Sequence, residues 1–176
     1  MSAALARGVF NDALCVVDRC GWPSYECDLL VLTRKLRVID VEVKISRADL
    51  KADRAKSKWI EVLRWKPGLP DDVHGRRVPR VWPRNVWKHY YAIAAPIWTD
   101  GLLQHCGEAS GVLLVDLAQR GATKYARGVE VIRPAKPNTK DTPCGADDAV
   151  AIARLASLRM WDAYDELEKL KREKTT

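Results

Sequence analysis

Asp28, Glu42 and Lys44 are the residues of this sequence whose types and spacing could do chemistry together. Val38-Ile39-Asp40-Val41-Glu42-Val43-Lys44-Ile45 alternates strictly. In an extended strand Ile39, Val41, Val43 and Ile45 share one face, and Asp40, Glu42 and Lys44 share the other. The first set is apolar and β-branched, as a half-buried strand requires. Upstream, Cys27-Asp28-Leu29-Leu30-Val31-Leu32 holds a single acid among apolar neighbours. Such an acid costs several kcal/mol unless it is paired or binds a cation. Two carboxylates and an amine in this order have the shape of a metal-dependent phosphodiesterase site. The competing reading is a surface ion-pair ladder along one strand.

The elements that must position these residues follow from local pattern. Ser2 is placed to cap a first helix reaching about residue 19, with Leu5, Val9, Ala13 and Val16 as its apolar stripe. Asp12 and Asp18 lie off that stripe and read as solvent-facing acids; the alternative is that one reaches over the site. Cys20-Gly21-Trp22-Pro23-Ser24 is a turn. Strands over about 26–33 and 36–45 are joined by Thr33-Arg34-Lys35, which makes them an antiparallel hairpin. Ser46 and Asp49 have capping spacing for a helix from about Arg47 to Trp65, stopped by Pro67. On that helix Lys51, Arg54 and Lys58 share a face beside the site.

Residues 66–88, rich in Pro, Gly and Arg, read as a long loop or inserted flap. Tyr90 to Ala95 and Gly111 to Asp116 are strands apolar enough to be buried on both faces, and Gly128 to Ile132 is a short edge strand. A weak helix separates the first two of these. Residues 133–146 form a Pro-containing linker. A final helix from about Asp147 to Lys174 carries Leu155, Leu158, Trp161, Tyr164, Leu167 and Leu170, apolar positions that wander around its axis. That helix either packs on the domain or pairs with another chain, so a homodimer is among the expected partners. The fold class expected is α/β (α+β), a central mixed β-sheet flanked by helices. One domain spans 1–133, with 134–176 as linker and helix.

With 176 residues, 47% of them hydrophobic, the chain can bury a real core. No apolar run approaches the ~20 residues of a membrane span, and the first residues lack a signal-peptide pattern. A cytoplasmic protein is expected, and five cysteines without a framework fit a reducing compartment. The net charge is +7, and residues 51–90 account for all of it, with eleven Lys or Arg against four acids. Four of the seven tryptophans, Trp59, Trp65, Trp82 and Trp87, lie in the same segment. Basic side chains interleaved with aromatics suit a polyanion with stackable bases. Lys51, Arg54, Lys58, Arg76, Arg77, Arg80 and Arg84 are therefore the candidate DNA contacts. His74 and His89 are isolated and carry no assigned role.

Asp28 followed by Glu42-Val43-Lys44, on core strands after an N-terminal helix, resembles the PD-(D/E)XK nuclease superfamily, which has the restriction-endonuclease-like fold. Glu26 to Leu32, then Asp40-Val41-Glu42-Val43-Lys44-Ile45-Ser46-Arg47-Ala48-Asp49-Leu50-Lys51-Ala52-Asp53, is similar to the MmcB-like DNA-repair nucleases and their phage-type relatives. The resemblance covers roughly residues 5–133 and leaves the C-terminal helix unmatched. Cys27 stands where the nominal motif has proline, and the 66–88 stretch is an insertion relative to the family. The resemblance implies that Asp28, Glu42 and the Val43 carbonyl bind Mg²⁺ or Mn²⁺. Oxygen donors of this kind suit a hard divalent ion. It implies that Lys44 orients or deprotonates the attacking water, or steadies the phosphorus. It gives Asp40 no required role beyond support.

The function expected is thus a Mg²⁺-dependent DNA endonuclease of repair, recombination or phage DNA processing. The alternatives are a non-catalytic DNA-binding protein on the same fold, and a protein-interaction module using the last helix. Structural zinc at Cys15, Cys20 and Cys27, or at His105-Cys106, lacks the usual ligand spacing.

Overall fold

The structure, a computed structural model, describes residues 1–64, 70, 73, 75–118 and 128–173. Its centre is a six-stranded mixed sheet built from β1 (Cys15–Cys20), β2 (Cys27–Leu32), β3 (Val38–Lys44), β6 (Lys88–Ala94), β7 (Gly111–Val115) and β8 (Val129–Arg133), in that spatial order. A separate two-stranded hairpin pairs β4 (Ile60–Val62) with β5 (Arg77–Pro79). The helices are α1 (Ser2–Arg7), α2 (Arg47–Ala52) and α3 (Ala146–Glu173). Strands β1, β2 and β3 run antiparallel in turn, β3, β6 and β7 are parallel, and β8 returns antiparallel at the edge. This is the α/β class expected, with a central mixed sheet and helices around it.

Both faces of the sheet are covered. Leu5, Phe10, Leu29, Val31, Ile39, Val41, Ala92, Leu113 and Val115 form the core of one face. The opposite face carries two apolar clusters. One joins Val17, Leu30, Leu32 and Val38 to Ile152 of α3; the other joins Leu50 and Trp59 to Tyr91, Ile93 and Val112. Asp40, Glu42 and Lys44 point to this same face, between the two clusters, and all three are buried. The two parities of β3 therefore face two covered layers, one of them polar.

Several boundaries differ from expectation for identifiable reasons. The first helix stops at Arg7, not near residue 19, and Met1 rather than Ser2 is its N-cap, without a side-chain bond. Residues 15–20 are instead strand β1, paired to β2. Leu5, Val9, Ala13 and Val16 do line one core cluster, but from a helix, a loop and a strand in succession. The second helix ends at Ala52, not at Trp65. The chain then runs through two 3₁₀ turns, Asp53–Ala55 and Ser57–Trp59, into β4. Lys51, Arg54 and Lys58 consequently share no helical face. Ser46 does cap: its Oγ accepts the Asp49 N–H at 3.1 Å.

The inserted stretch is not loop throughout, since β5 lies within it. Trp65, Lys66, Pro67 and His74 lie outside the described residues. The segment after β8 is pinned rather than free. The Asn138 amide donates to the Trp87 carbonyl at 2.7 Å, and the Cys144 amide donates to that of Leu36 at 2.8 Å. Its course delivers α3 to the sheet, where Ile152 is buried. Among the described residues no helix is long and apolar enough to cross a membrane.

Candidate active site

The β2–β3 ladder puts Leu29 opposite Val41 and Leu30 opposite Asp40, so the next step brings Asp28 opposite Glu42. Both side chains then lie on the polar face. Asp28 is half-buried, and its Oδ2 accepts the Val43 N–H at 2.8 Å. That amide belongs on the β2 side of the strand. A residue's N–H and C=O leave a strand on the same side, so the Val43 carbonyl faces the Asp28 edge too. Burial raises the Asp28 pKa, only partly offset by the Val43 N–H.

Glu42 is enclosed by ammonium groups. Lys58 Nζ lies 2.6 Å from Oε1, while Lys44 Nζ at 3.1 Å and Lys56 Nζ at 3.3 Å share Oε2. Burial alone would raise its pKa; the Lys58 charge, then that of Lys44, outweighs burial and holds the carboxyl below its usual value. Asp53 is the second hub and is fully buried. Its Oδ1 takes Lys44 at 2.9 Å and Lys56 at 3.0 Å, and its Oδ2 takes Tyr91 OH at 2.8 Å and Trp59 Nε1 at 3.0 Å. Burial opposes its ionisation, but Lys58 and Lys44 keep it ionised well below the ordinary carboxylate range. Lys44 is 1% exposed and also lies 3.5 Å from Asp49. Burial would lower its pKa, yet the hydrogen bond and charge of Asp53 raise it. Lys44 is thus a persistent ammonium here, suited to donate a hydrogen bond and not to accept a proton.

A side chamber adjoins this pair of hubs. Asp40 is fully buried; its Oδ2 accepts Tyr25 OH at 2.9 Å and sits 3.5 Å from Lys58 Nζ. Asp40 Oδ1 has no partner. Burial pushes the Asp40 pKa up to about 6, against the Lys58 charge. His89 packs edge-on against both Trp59 and Tyr91, with centroids 4.8 and 4.6 Å away. Burial and the Lys58 charge hold it well below the usual histidine value, so the ring is neutral. Its Nε2 faces Lys58 Nζ at 3.5 Å, a group that only donates. The same Nε2 lies 3.7 Å from Asp40 Oδ2, and Nδ1 is hydrogen-bonded with Ser110 Oγ at 2.9 Å.

Expected and observed residues divide clearly. Asp28, Glu42, Val43 and Lys44 come together on one face. Asp12 is exposed and Asp18 pairs loosely with Arg19, both away from the site. Lys58, expected as an exposed DNA contact, is instead buried against Glu42 and Asp40, because the helix that would have turned it outward has already ended. Lys51, Arg54, Arg76, Arg77 and Arg84 are exposed, and Arg80 pairs with Glu61 at 3.4 Å. Arg80 and Arg84 line a cleft of about 380 Å³ with Arg64, Tyr25 and Lys58, so the cleft abuts the buried cluster. A smaller one of about 240 Å³ brings Arg54 and Arg77 beside Trp59. Asp53, Lys56 and His89 receive no role from sequence, though Asp53 closes the Ser46–Asp53 string of the family motif.

The donor set suits a hard divalent ion at one place. Asp28, Glu42 and the Val43 carbonyl are oxygen donors on the accessible edge. The carboxylates Asp40, Glu42 and Asp53, with Asp28 and Asp49 at the rim, outnumber the three lysines Lys44, Lys56 and Lys58. Ammonium groups already face both Glu42 oxygens, so an ion there competes with a lysine. Lys56, whose side chain is 46% exposed, is the one with somewhere to go. Among the described residues no three His, Cys, Asp or Glu form a metal-holding group by themselves. All five cysteines are free thiols, four of them buried.

No family model matches this sequence, and no curated protein does. A solved structure of a protein of unknown function from Silicibacter pomeroyi is similar in fold, with a TM-score of 0.52 and 18% identity. The match covers 97% of this chain and 90% of that one. At that identity the likeness is one of architecture, and it spans α3 as well as the sheet.

Proposed function

We propose that the chain is a Mg²⁺- or Mn²⁺-dependent DNA endonuclease of the PD-(D/E)XK type. The observation that carries this reading is the meeting of Asp28 and Glu42 across adjacent strands, with Lys44 on the same face and the Val43 amide tied to Asp28. Asp28, Glu42 and the Val43 carbonyl would hold the ion. When bound, it would activate a water and offset charge on the phosphoryl oxygens. Lys44, fixed by Asp53, would donate to the attacking water or to a non-bridging oxygen. Arg64, Arg80 and Arg84 in the cleft would take the phosphates of the strand beyond the cut. The resemblance alone supports the repair, recombination or phage-processing setting.

A second reading is a DNA-binding protein that does not cut. It is favoured by one observation, the saturation of both Glu42 oxygens by ammonium groups. The experiment is cleavage of supercoiled and branched DNA with Mg²⁺ or Mn²⁺ by wild type, Asp28→Asn and Lys44→Met. Asp28→Asn is the informative variant, since its side chain is half-buried and lies outside the lysine network. A nuclease cuts as wild type and not as Asp28→Asn, with both proteins folded. Salt-sensitive binding without cleavage by any of the three establishes the second reading.

A further inference from the structure

The candidate site uses one face of the sheet. On the other face lies a cleft of about 660 Å³, larger than either cleft beside the site. It forms where β2 ends, where β3 and β6 begin, and where the loop after α1 crosses them. Ile39 lies opposite Lys88 and Val41 opposite Tyr90, so these residues share the parity that points away from Asp40 and Glu42. Five residues of β3 separate Ile39 from Lys44, about 16 Å of strand. The cleft is thus at the far end of β3 as well as on its far side.

The walls are apolar. Phe10 meets the Tyr90 ring edge-on, with centroids 6.0 Å apart, and Val31, Ile39 and Trp87 pack beside them. Tyr90 and Trp87 are only partly buried, so the cleft leaves aromatic surface open to solvent. The rim is basic. Lys88 Nζ lies 4.6 Å from the Trp87 ring centroid. Arg34 Nε donates to the Asp12 carbonyl at 3.1 Å, which ties the guanidinium to the loop after α1. Lys35 follows on the same turn and is exposed. Arg37 is already paired, with Asp141 at 3.2 Å. Among the described residues Arg34, Lys35 and Lys88 have no acid within ion-pair reach. Asp12, the acid in the lining, is exposed and pairs with none of them.

Rings and cations together select the occupant. Concave sites of about 300–1,000 Å³ with aromatic walls and a few polar groups are those of small molecules. An inorganic anion would leave the rings wet, and a neutral apolar molecule would make no use of three unpaired cations. We propose that this cleft binds a small organic anion with a flat apolar body. Its rings lie against Phe10, Trp87 and Tyr90, and its anionic group faces Arg34, Lys35 and Lys88. Nucleoside monophosphates and aromatic carboxylates share that chemistry. The proposal does not rest on the nuclease reading, because no residue named for cleavage lines the cleft.

The probe is anilinonaphthalene sulfonate, titrated into the full chain at low salt and followed by its fluorescence. One saturable site is expected, with a Kd of about tens of micromolar for a ligand of that size. Arg34→Glu combined with Lys35→Glu should weaken binding about ten-fold, and most at low salt. Both side chains are exposed, so circular dichroism should stay as in wild type. Ala13→Leu, which fills the cleft from the loop after α1, should weaken binding too. Lys169→Glu, an exposed cation on α3, should change nothing. Displacement of the probe by adenosine monophosphate assigns the nucleotide source, and displacement by naphthoate but not by adenosine monophosphate assigns the carboxylate one. Absence of a saturable site overturns the proposal. So does binding that is indifferent to the double reversal or to Ala13→Leu, or that neither competitor displaces.

Discussion

Asp53→Asn tests the electrostatic account of the site most directly. Every neighbour of the Asp53 carboxylate is a donor: two ammonium groups on Oδ1, an indole N–H and a phenol on Oδ2. An amide of the same size creates no cavity, yet it points its own NH₂ at one of those donor pairs. Breaking a buried ion pair from one side costs about 3–5 kcal/mol. Lys44 and Lys56 retain Glu42, which places the expected loss near the lower bound, about 3 kcal/mol. For a domain of this size that lowers the melting temperature by about 6–12 °C.

The pH dependence follows from the direction of the shift. The folded-state pKa of Asp53 lies below its unfolded value. Its stabilisation is complete above the unfolded value and is lost as pH falls toward the folded one. The gap between wild type and Asp53→Asn should therefore be widest near neutrality and narrow below about pH 4. Urea unfolding across pH measures it. Tyr91→Phe provides the cycle: it should cost about 1.5–3 kcal/mol in wild type, as a hydrogen bond to a charged acceptor does, and much less in the Asp53→Asn background. A neutral-pH gap under about 1 kcal/mol, or one flat from neutral to acid, refutes the reasoning.

Three further outcomes are expected. Lys56→Met leaves Glu42 Oε2 to Lys44 alone and should tighten Mn²⁺ binding a few-fold by titration calorimetry, the scale of one half-exposed ion pair; unchanged or weaker binding sinks the displacement idea. Asp40 has a folded value of about 6, above the unfolded carboxylate, so its stabilising protonation is lost as pH rises from about 4 to about 6. Wild type should lose about 3 kcal/mol relative to Asp40→Asn over that span, and a constant difference would contradict the burial argument. Gly111→Ala would bring its Cβ against the Tyr90 ring and within 2.8 Å of the Ala135 backbone nitrogen, so thermal unfolding should report a loss of about 1–3 kcal/mol; a neutral substitution would mean that Tyr90 swings aside freely.

The hairpin of β2 and β3 was legible because alternation at period two has one interpretation when a short polar link joins the runs. β1 was not. Leu5, Val9, Ala13 and Val16 have helical spacing, so a helix accounted for them, while Gly8 and Asn11-Asp12 marked the break that the structure places there. The same error recurs after Ser46. Lys51, Arg54 and Lys58 fit a helical face, but Ile60-Glu61-Val62 alternates and forms β4. In both places a periodic apolar or basic set outvoted local turn chemistry. The apolar set still identified core residues correctly, because burial depends on where a side chain ends, not on the element that carries it there.

The candidate site shows the consequence. Asp28, Glu42 and Lys44 were readable from strand parity alone, whereas Asp53, Lys56 and Lys58 enter only because α2 stops at Ala52 and two tight turns swing them inward. The resulting cluster is expensive. Apolar replacements of similar volume are often neutral or better than buried ion pairs, and a well-packed apolar cluster lies on each side of this one. Packing therefore does not require carboxylates and ammonium groups in the gap. Asp28, half-buried, and Lys56, whose side chain is 46% exposed, lie where the cluster reaches solvent. In the proposed nuclease, a divalent ion on Asp28 and Glu42 would take the place of Lys56 at that edge.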